Sequence, residues 1–474
     1  MIKILQFGYK CLRVVFVGGL ALLLSSGCKR NDSLFPVVAS NGIHTLKSTG
    51  VDTTDSSSIA DIKVPSFETD WGKSVKTPAI PSGSLSIMEY GADTLKSDNS
   101  VAIQAAIDAA GKNGGGTVQI PKGNFRCGPI RLVSNVGLHF EKNAQLTVLS
   151  YADYPGSGTA NSVEPFIDLS NTTNVLIDGA GTINGQGADW WAAYRATKAT
   201  AAIARPPMIA FDKASIIEIA GITIKNAPNG HISIHKENTN ITISDVTIDS
   251  PEDSPNTDGI DVWTPYVNIY DCTISCGDDN IAMNNNTKYV TISGCAFGAG
   301  HGLSIGSYTA NIDHIYVNNC SFNGTDNGIH IKSSRERSGE VGYLVYENLT
   351  MEKVKYPVNI CEYYPDNTIP STASSDPGAA ITATTPVWKN IVLKNILVNS
   401  ADYAGMVWAV PELPLKNIIF DSVRINANAG MKFNNIDSAA FIHGSSISVS
   451  SGAAFTSTYH SNISGINLLT GAQE

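Results

Sequence analysis

The chain has 474 residues, 42% hydrophobic and only 16% charged, with 42 glycines and a formal net charge of −10. That acidity excludes a general nucleic-acid binder, whose polyanionic partner demands a basic face. The wealth of Gly, Asn, Ser, Thr and Ile favours short strands and tight turns over helices, and the length suits two or three ordinary domains or one elongated one.

Residues 1–28 read as an export signal. Lys3, Lys10 and Arg13 precede VVFVGGLALLL, an apolar run too short to span a bilayer comfortably, and the run ends in SSGC. This resembles a bacterial lipoprotein signal, in which Cys28 becomes the lipidated first residue, although Ser25 stands where that motif usually has Leu. The alternatives are an ordinary signal peptide and a single anchor helix. The expectation is an exported lipoprotein of the cell envelope (periplasm or outer-membrane surface), touching the membrane only through a lipid at Cys28. Residues 29–83, rich in Ser, Thr, Asp and Pro, read as a flexible tether with local order near 67–71. Residues 84–470 form the remaining domain.

SVAIQAAIDAA (100–110) carries the best amphipathic helix signal, with Val101, Ile103 and Ile107 among its apolar positions. It precedes GGGTVQIPKGNFRC, where strands begin, and is expected to cap the open end of a solenoid. The solenoid itself is announced by IEIAGITI (217–224), ITISDVTI (241–248), VNIYDCTI (267–274), VTISGCAF (290–297) and IYVNNCSF (315–322). Their spacing of about 25 residues and their period-two alternation predict a parallel β-helix. LVYENLTM (344–351), IVLKNILV (391–398) and IIFDSVRI (418–425) extend the series, and the 47-residue step between the first two of these fits two coils. Val246, Cys272, Cys295, Cys320 and Leu349 share one phase and should stack inward, so those cysteines are expected to be free and buried.

A second strand recurs once per coil. DGIDVW (258–263), DNIAMN (279–284), HGLSIG (301–306) and NGIHIK (327–332) align so that Ile260, Ile281, Leu303 and Ile329 point inward with Val262, Met283, Ile305 and Ile331. Asp261, Ala282, Ser304 and His330 then face outward, followed by Trp263, Asn284, Gly306 and Lys332. Coils stack at about 4.8 Å, which brings Asp258, Asp278, Asp279, His301, His330 and Lys332 to one patch. Turn-making alone explains single Asp residues, not this stack. Close carboxylates cannot all ionise, so such a patch holds a general acid beside a general base. Glycoside hydrolysis needs that division, and an inverting enzyme places acid and base about 6.5–9.5 Å apart.

NTDG (256–259), GDD (277–279), GHGLSIGS (300–307) and DNGIHIKS (326–333) resemble, in order and spacing, the motifs of family 28 glycoside hydrolases, the polygalacturonases. EYGADTLKSDNSVAIQAAIDAAGKNGGGTVQIPKGNF (89–125) is similar to the entry segment of pectin-degrading β-helix enzymes, and PVNICEYYP (357–365) also fits. The resemblance implies an all-β fold, a right-handed single-stranded parallel β-helix of the pectin-lyase-like kind, and inverting hydrolysis of galacturonate-containing pectin. It implies Asp278 as general acid, Asp258 and Asp279 as activators of water, and His301 as their support. Lys332, His330, Tyr364 and Asn256 would bind substrate, with no cofactor, no metal and a monomeric enzyme. The family's usual Arg-Ile-Lys is His330-Ile331-Lys332 here. That departure predicts weaker dependence on a free carboxylate and a branched or chain-end substrate, unless Arg335 or Arg337 replaces the missing cation. A calcium-dependent pectate lyase and a non-catalytic surface glycan binder are the alternative readings.

Overall fold

A computed structural model describes residues 69–474. The signal segment, Cys28 and most of the tether lie outside the described residues. From Ser84 onward the chain winds into a parallel β-helix, right-handed as such crossovers are. Twelve short strands make one sheet, running from Ile130–Arg131 through Ile260–Val262, Ile281–Met283, Leu303–Ile305 and Asn327–Lys332 to Phe455–Ser457. The other strands form one hydrogen-bonded network with two columns, one through Ile217 and its partners and one through Thr223 and its partners.

The alternation read from the sequence sets this register. Ile217, Ile241, Val267, Val290 and Ile315 are consecutive partners, and all are fully buried. Burying each such side chain contributes roughly 1.5–3 kcal/mol, which a solenoid collects coil by coil. Val246, Cys272, Cys295, Cys320 and Leu349 line the interior, and the cysteines are free. The step from 344 to 391 is a single coil, because Leu344 pairs directly with Ile391. The expectation of two coils there is corrected: the extra length leaves the solenoid as the 363–385 excursion.

Helix α1 (Ser100–Lys112) packs on the first coils with Ile103 and Ile107 buried. Val101 is the exception, 84% exposed, since it falls on the outer side of the helix. Helix α2 (Ala188–Thr197), not anticipated from the sequence, leaves the solenoid between Thr182–Asn184 and Ile209–Phe211. Trp190 anchors it against Tyr151 and Tyr154, with ring centroids 4.8 and 5.6 Å away.

Residues 69–83 are not a free tether. They form a strap along the flank of the solenoid, and the reason is specific side-chain pairing. Trp71 sits edge-on to Tyr289 and His314, and Asn268 donates to the Gly72 carbonyl at 2.9 Å. A Cβ on Gly72 would come within 3.0 Å of three side-chain oxygens, so only glycine allows that approach. Asn240 accepts from the Lys76 amide, and Asn174 bonds both the amide and the carbonyl of Ala79. The strap therefore touches coils five spacings apart, about 24 Å, through a short 3-10 turn at Asp70–Ser74 and the chain that follows it.

A bend in each coil is made by one residue in the left-handed region. Asn174, Asn240, Tyr266, Tyr289, His314, Tyr343, Asn390 and Asn417 all have φ near +60°, where Asn is favoured among non-glycine residues. Asn meets this backbone demand at the two ends of the column, and Tyr and His meet it in the middle coils.

Candidate active site

The turns that lead into the twelve-stranded sheet carry the chemistry. Asp258 precedes Ile260–Val262, Asp278 and Asp279 precede Ile281–Met283, and His301 precedes Leu303–Ile305. Buried Asn280 holds the second turn by donating to the carbonyls of Ile274 and Ala299 while accepting from the Gly302 amide. Gly302 has φ +87°, and a Cβ there would lie 1.9 Å from the Asn327 carbonyl oxygen. Buried His231 pins the first turn, its Nδ1 2.8 Å from the Asp258 carbonyl oxygen and its Nε2 2.8 Å from Ser250 Oγ. Burial lowers its pKa to about 4, so the ring is neutral.

These turns bring the expected residues together. His301 Nδ1 lies 3.0 Å from Asp278 Oδ1, and Asn256 Nδ2 donates to Asp278 Oδ2 at 3.0 Å. Lys332 Nζ bridges both oxygens of Asp279 at 3.0 and 2.8 Å, and Ser304 Oγ donates to Asp279 Oδ1 at 2.6 Å. Tyr364 stands beside them, its ring centroid 5.6 Å from Lys332 Nζ. Asp278, Asp279 and His301 offer ligand atoms within 4.8 Å of one another. A cation would have to compete there with Lys332, whose ammonium already neutralises Asp279. Asp278 and Asp279, with ligand atoms within 4.8 Å, are thus closer than an inverting acid and base, about 6.5–9.5 Å apart, so the expected separation from at least one base falls to Asp278 and Asp258.

His330 is placed differently from the expectation. It lies in the predicted column, paired with Ser304 and Asn359, but it is buried. Its Nδ1 is 3.1 Å from Ser304 Oγ and 3.5 Å from Asn327 Nδ2. Burial, and then the charges of Lys332 and His301, hold its pKa well below the usual value. The ring reaches Asp279 only through Ser304, whose hydroxyl contacts both, and it brings no positive charge to the site.

Four carboxylates and two cations share this patch, and their environments divide the protons. Burial raises Asp258 well above its ordinary pKa, reinforced by Asp261, Asp278 and Asp279. Burial and the charges of Asp279 and Asp278 raise Asp261 to about 7. Burial also opposes ionisation of Asp278, but the hydrogen bond and charge of His301, with Lys332, outweigh it and bring Asp278 to about 2. Desolvation works against charge on His301, yet Asp278 and Asp279 raise it to about 9. Burial likewise opposes the charge of Lys332, and Asp279 and Asp278 overcome it, holding its pKa above the ordinary value. Within one patch, then, Asp258 and Asp261 are pushed up while Asp278 is pushed down, beside the cations of His301 and Lys332. Acids of unlike protonation state beside a confined cation are the arrangement of a glycosidic-bond hydrolase.

Residues 110–446 match the glycosyl hydrolases family 28, which is more than half of the chain. The chain belongs to that family. A probable polygalacturonase of Arabidopsis thaliana is 32% identical over 295 residues, 60% of this chain and 62% of that protein, so the match spans less than two thirds of that relative. An endo-polygalacturonase of Pectobacterium carotovorum subsp. carotovorum is 28% identical over 372 residues, covering 72% of this chain and 88% of that protein. The structure of an exopolygalacturonase from Thermotoga maritima superposes with a TM-score of 0.65 over 76% of this chain and 94% of its own. At 20% identity that likeness speaks for the fold.

Sequence reasoning missed three groups around the site of this family 28 hydrolase. Asp261 was aligned in the outward column but not assigned a role, although its neighbours already placed it among acids. Tyr194 on α2 donates to Asn256 Oδ1 at 3.0 Å and so supports the amide that holds Asp278. Buried Arg205 stacks on Tyr194, 3.9 Å from its ring centroid, and ties the carbonyls of Pro228 and Pro255 together. Neither residue lies in a repeat, so no periodicity pointed to them.

Proposed function

We propose that this hydrolase cleaves galacturonate-containing glycosidic bonds of pectin by single displacement with inversion, as family 28 does. The observation that carries the reading is the Asp278–Asp279–His301–Lys332 cluster, in which His301 holds Asp278 at 3.0 Å and a buried ammonium bridges both oxygens of Asp279. Asp278 and His301 hold one proton between them across the range separating their titrations. Lys332 is one of the charges that depress Asp278. A uronate carboxylate drawing on Lys332 weakens that influence, so Asp278 gains affinity for the proton it must give to the leaving oxygen. Asp258 and Asp279 orient the attacking water. Asn256 and Tyr364 border the bound sugar.

The same reading places the enzyme in the bacterial cell envelope, held by a lipid at Cys28 and acting as a monomer. Its support is the charged, apolar and small-residue order of the first 28 residues. Among the described residues no helix is long and apolar enough to cross a membrane.

Incubation with polygalacturonate, rhamnogalacturonan and xylogalacturonan, with products resolved by size and by proton NMR, tests the function. The expected outcome is saturated galacturonate-ended products of inverted configuration, formed equally well in EDTA. Unsaturated ends that vanish on chelation, or no cleavage of any uronate polymer, would overturn it.

A further inference from the structure

Residue 330 is a histidine where the motif alignment expects a guanidinium, and the fold around Tyr364 offers another. Arg335 is not available. It pairs with Glu412 at 2.5 and 2.9 Å and with Asp376 at 2.7 Å, and Tyr363 also donates to Asp376. Those contacts fasten the 363–385 excursion to the solenoid.

Arg337, two residues on, is held in a different way. Its Cζ lies 5.3 Å from the ring centroid of Tyr308 and 5.6 Å from that of Tyr364. Its Nη1 donates to Ser307 Oγ at 3.2 Å. The backbone beneath it is fixed, since its amide donates to the Ser334 carbonyl and its carbonyl accepts from the Thr309 amide. Neighbouring Ser338 is buried between Thr309 and the indole of Trp388. Among the described residues no carboxylate lies within ion-pair distance of Arg337. A guanidinium has five donors, and most of these remain for a ligand.

Tyr364 therefore carries two cations on one ring. Lys332 is paired with Asp279 at 2.8 Å, whereas Arg337 makes no such ion pair among the described residues and feels a carboxylate only through the charge of exposed neighbouring Glu336. A guanidinium with donors to spare, sharing the Tyr364 ring with Lys332, favours an anionic sugar over a neutral one. Its planar fork matches a carboxylate bidentately, which an imidazole cannot do. Trp263 packs against Tyr308 with centroids 5.9 Å apart, giving the sugar ring an aromatic wall next to that fork.

We infer that Arg337 is the specificity-determining carboxylate receptor of this cleft, binding the uronate adjacent to the cut bond in place of a side chain at position 330. The inference rests on the pectin-hydrolase reading above. It also replaces the expectation that His330 relaxes the need for a free carboxylate: the wild type should prefer the free acid.

The test compares wild type, Arg337→Gln, Arg337→Met and Arg337→Lys on trigalacturonate and on its methyl-esterified form. For the free acid, kcat/KM should fall roughly 10- to 100-fold in the Gln and Met variants, as expected for one charge-assisted carboxylate contact. The loss should appear in KM, Lys should recover part of it, and turnover of the methyl ester should stay within about threefold. Met keeps the stem that lies between the two tyrosines, so it reports on charge should Gln disturb folding. Unchanged free-acid preference in a folded neutral variant, or no such preference in the wild type, would overturn the inference. A wild type that cleaves neither compound removes the functional reading instead. Calorimetric binding of trigalacturonate to wild type and Arg337→Met then still decides, with equal affinity counting against Arg337.

Discussion

The two bends of each coil stack the same way and behave in opposite ways. On the flank, Asn174 donates to Asn135 at 2.8 Å and Asn417 to Asn390 at 3.0 Å. Tyr266, Tyr289, His314 and Tyr343 continue that column with ring centroids 4.9–5.2 Å apart. At the catalytic turns the same coil spacing stacks Asp258, Asp278 with Asp279, His301 and Asp326. An amide has a donor for the neighbour below and an acceptor for the one above, so a neutral ladder satisfies itself. An ionised carboxylate has acceptors only. Two of them one coil apart repel by roughly 3 kcal/mol at an effective dielectric near 20. The solenoid therefore supplies one spacing, and the residue chosen decides whether it becomes a brace or a titrating site.

The contrast breaks most completely at Asp278. Asp278→Asn keeps the size of the side chain and removes the ability to pass a proton, so kcat should fall by about 10³ or more. Reducing-end release from polygalacturonate measures it, with circular dichroism confirming the fold. Residual activity above a tenth of wild type would show that another group is the acid.

Stability against pH sharpens the same contrast. The raised acids Asp258 and Asp261 hold protons in the folded state that the unfolded chain releases near pH 4. Stability should therefore decline from about pH 4 to pH 7. His301, raised to about 9, contributes stability that is complete below its unfolded value near 6.5 and is lost as pH rises through 9. Asp278, depressed to about 2, contributes above about pH 4 and loses that contribution as pH falls through 2. Thermal unfolding should accordingly show the highest Tm in mildly acidic buffer. Asp261→Asn should flatten the decline between pH 4 and 7, and an unchanged profile would remove Asp261 from the account.

The smallest effect belongs to the neutral ladder. Asn417→Ala places a residue without a local hydrogen bond at φ near +56° and frees Asn390. The expected cost is roughly 1–2 kcal/mol, visible as a lower Tm with unchanged kcat. A change in activity instead would mean that the two columns communicate.

Much of this arrangement was legible because period-two alternation and coil-on-coil pairing leave little freedom. Once Ile260, Ile281, Leu303 and Ile329 were aligned, the carboxylates and Lys332 had to meet. The burial of His330 was not legible, because its outward phase is also the phase of Ser304 and Asn359, and those neighbours enclose it. The 47-residue step looked like two coils because spacing alone cannot separate an added coil from an excursion. Tyr194 and Arg205 arrive on a segment outside the repeat, where contacts carry no period. Residues 69–83 have the composition of a linker, and only their partners on the sheet make them a strap.

That strap also changes how the molecule must come apart. In a plain solenoid each coil feels only the coils next to it, so unfolding can begin at an end and proceed by fraying. Here one continuous stretch of backbone holds the coil of His314 and the coil of Asn174 at once. The coils between them cannot loosen singly without releasing contacts on both sides. The catalytic coils thus lie within a block that melts as a unit, and cooperativity across it is a property of the strap, not of the repeat.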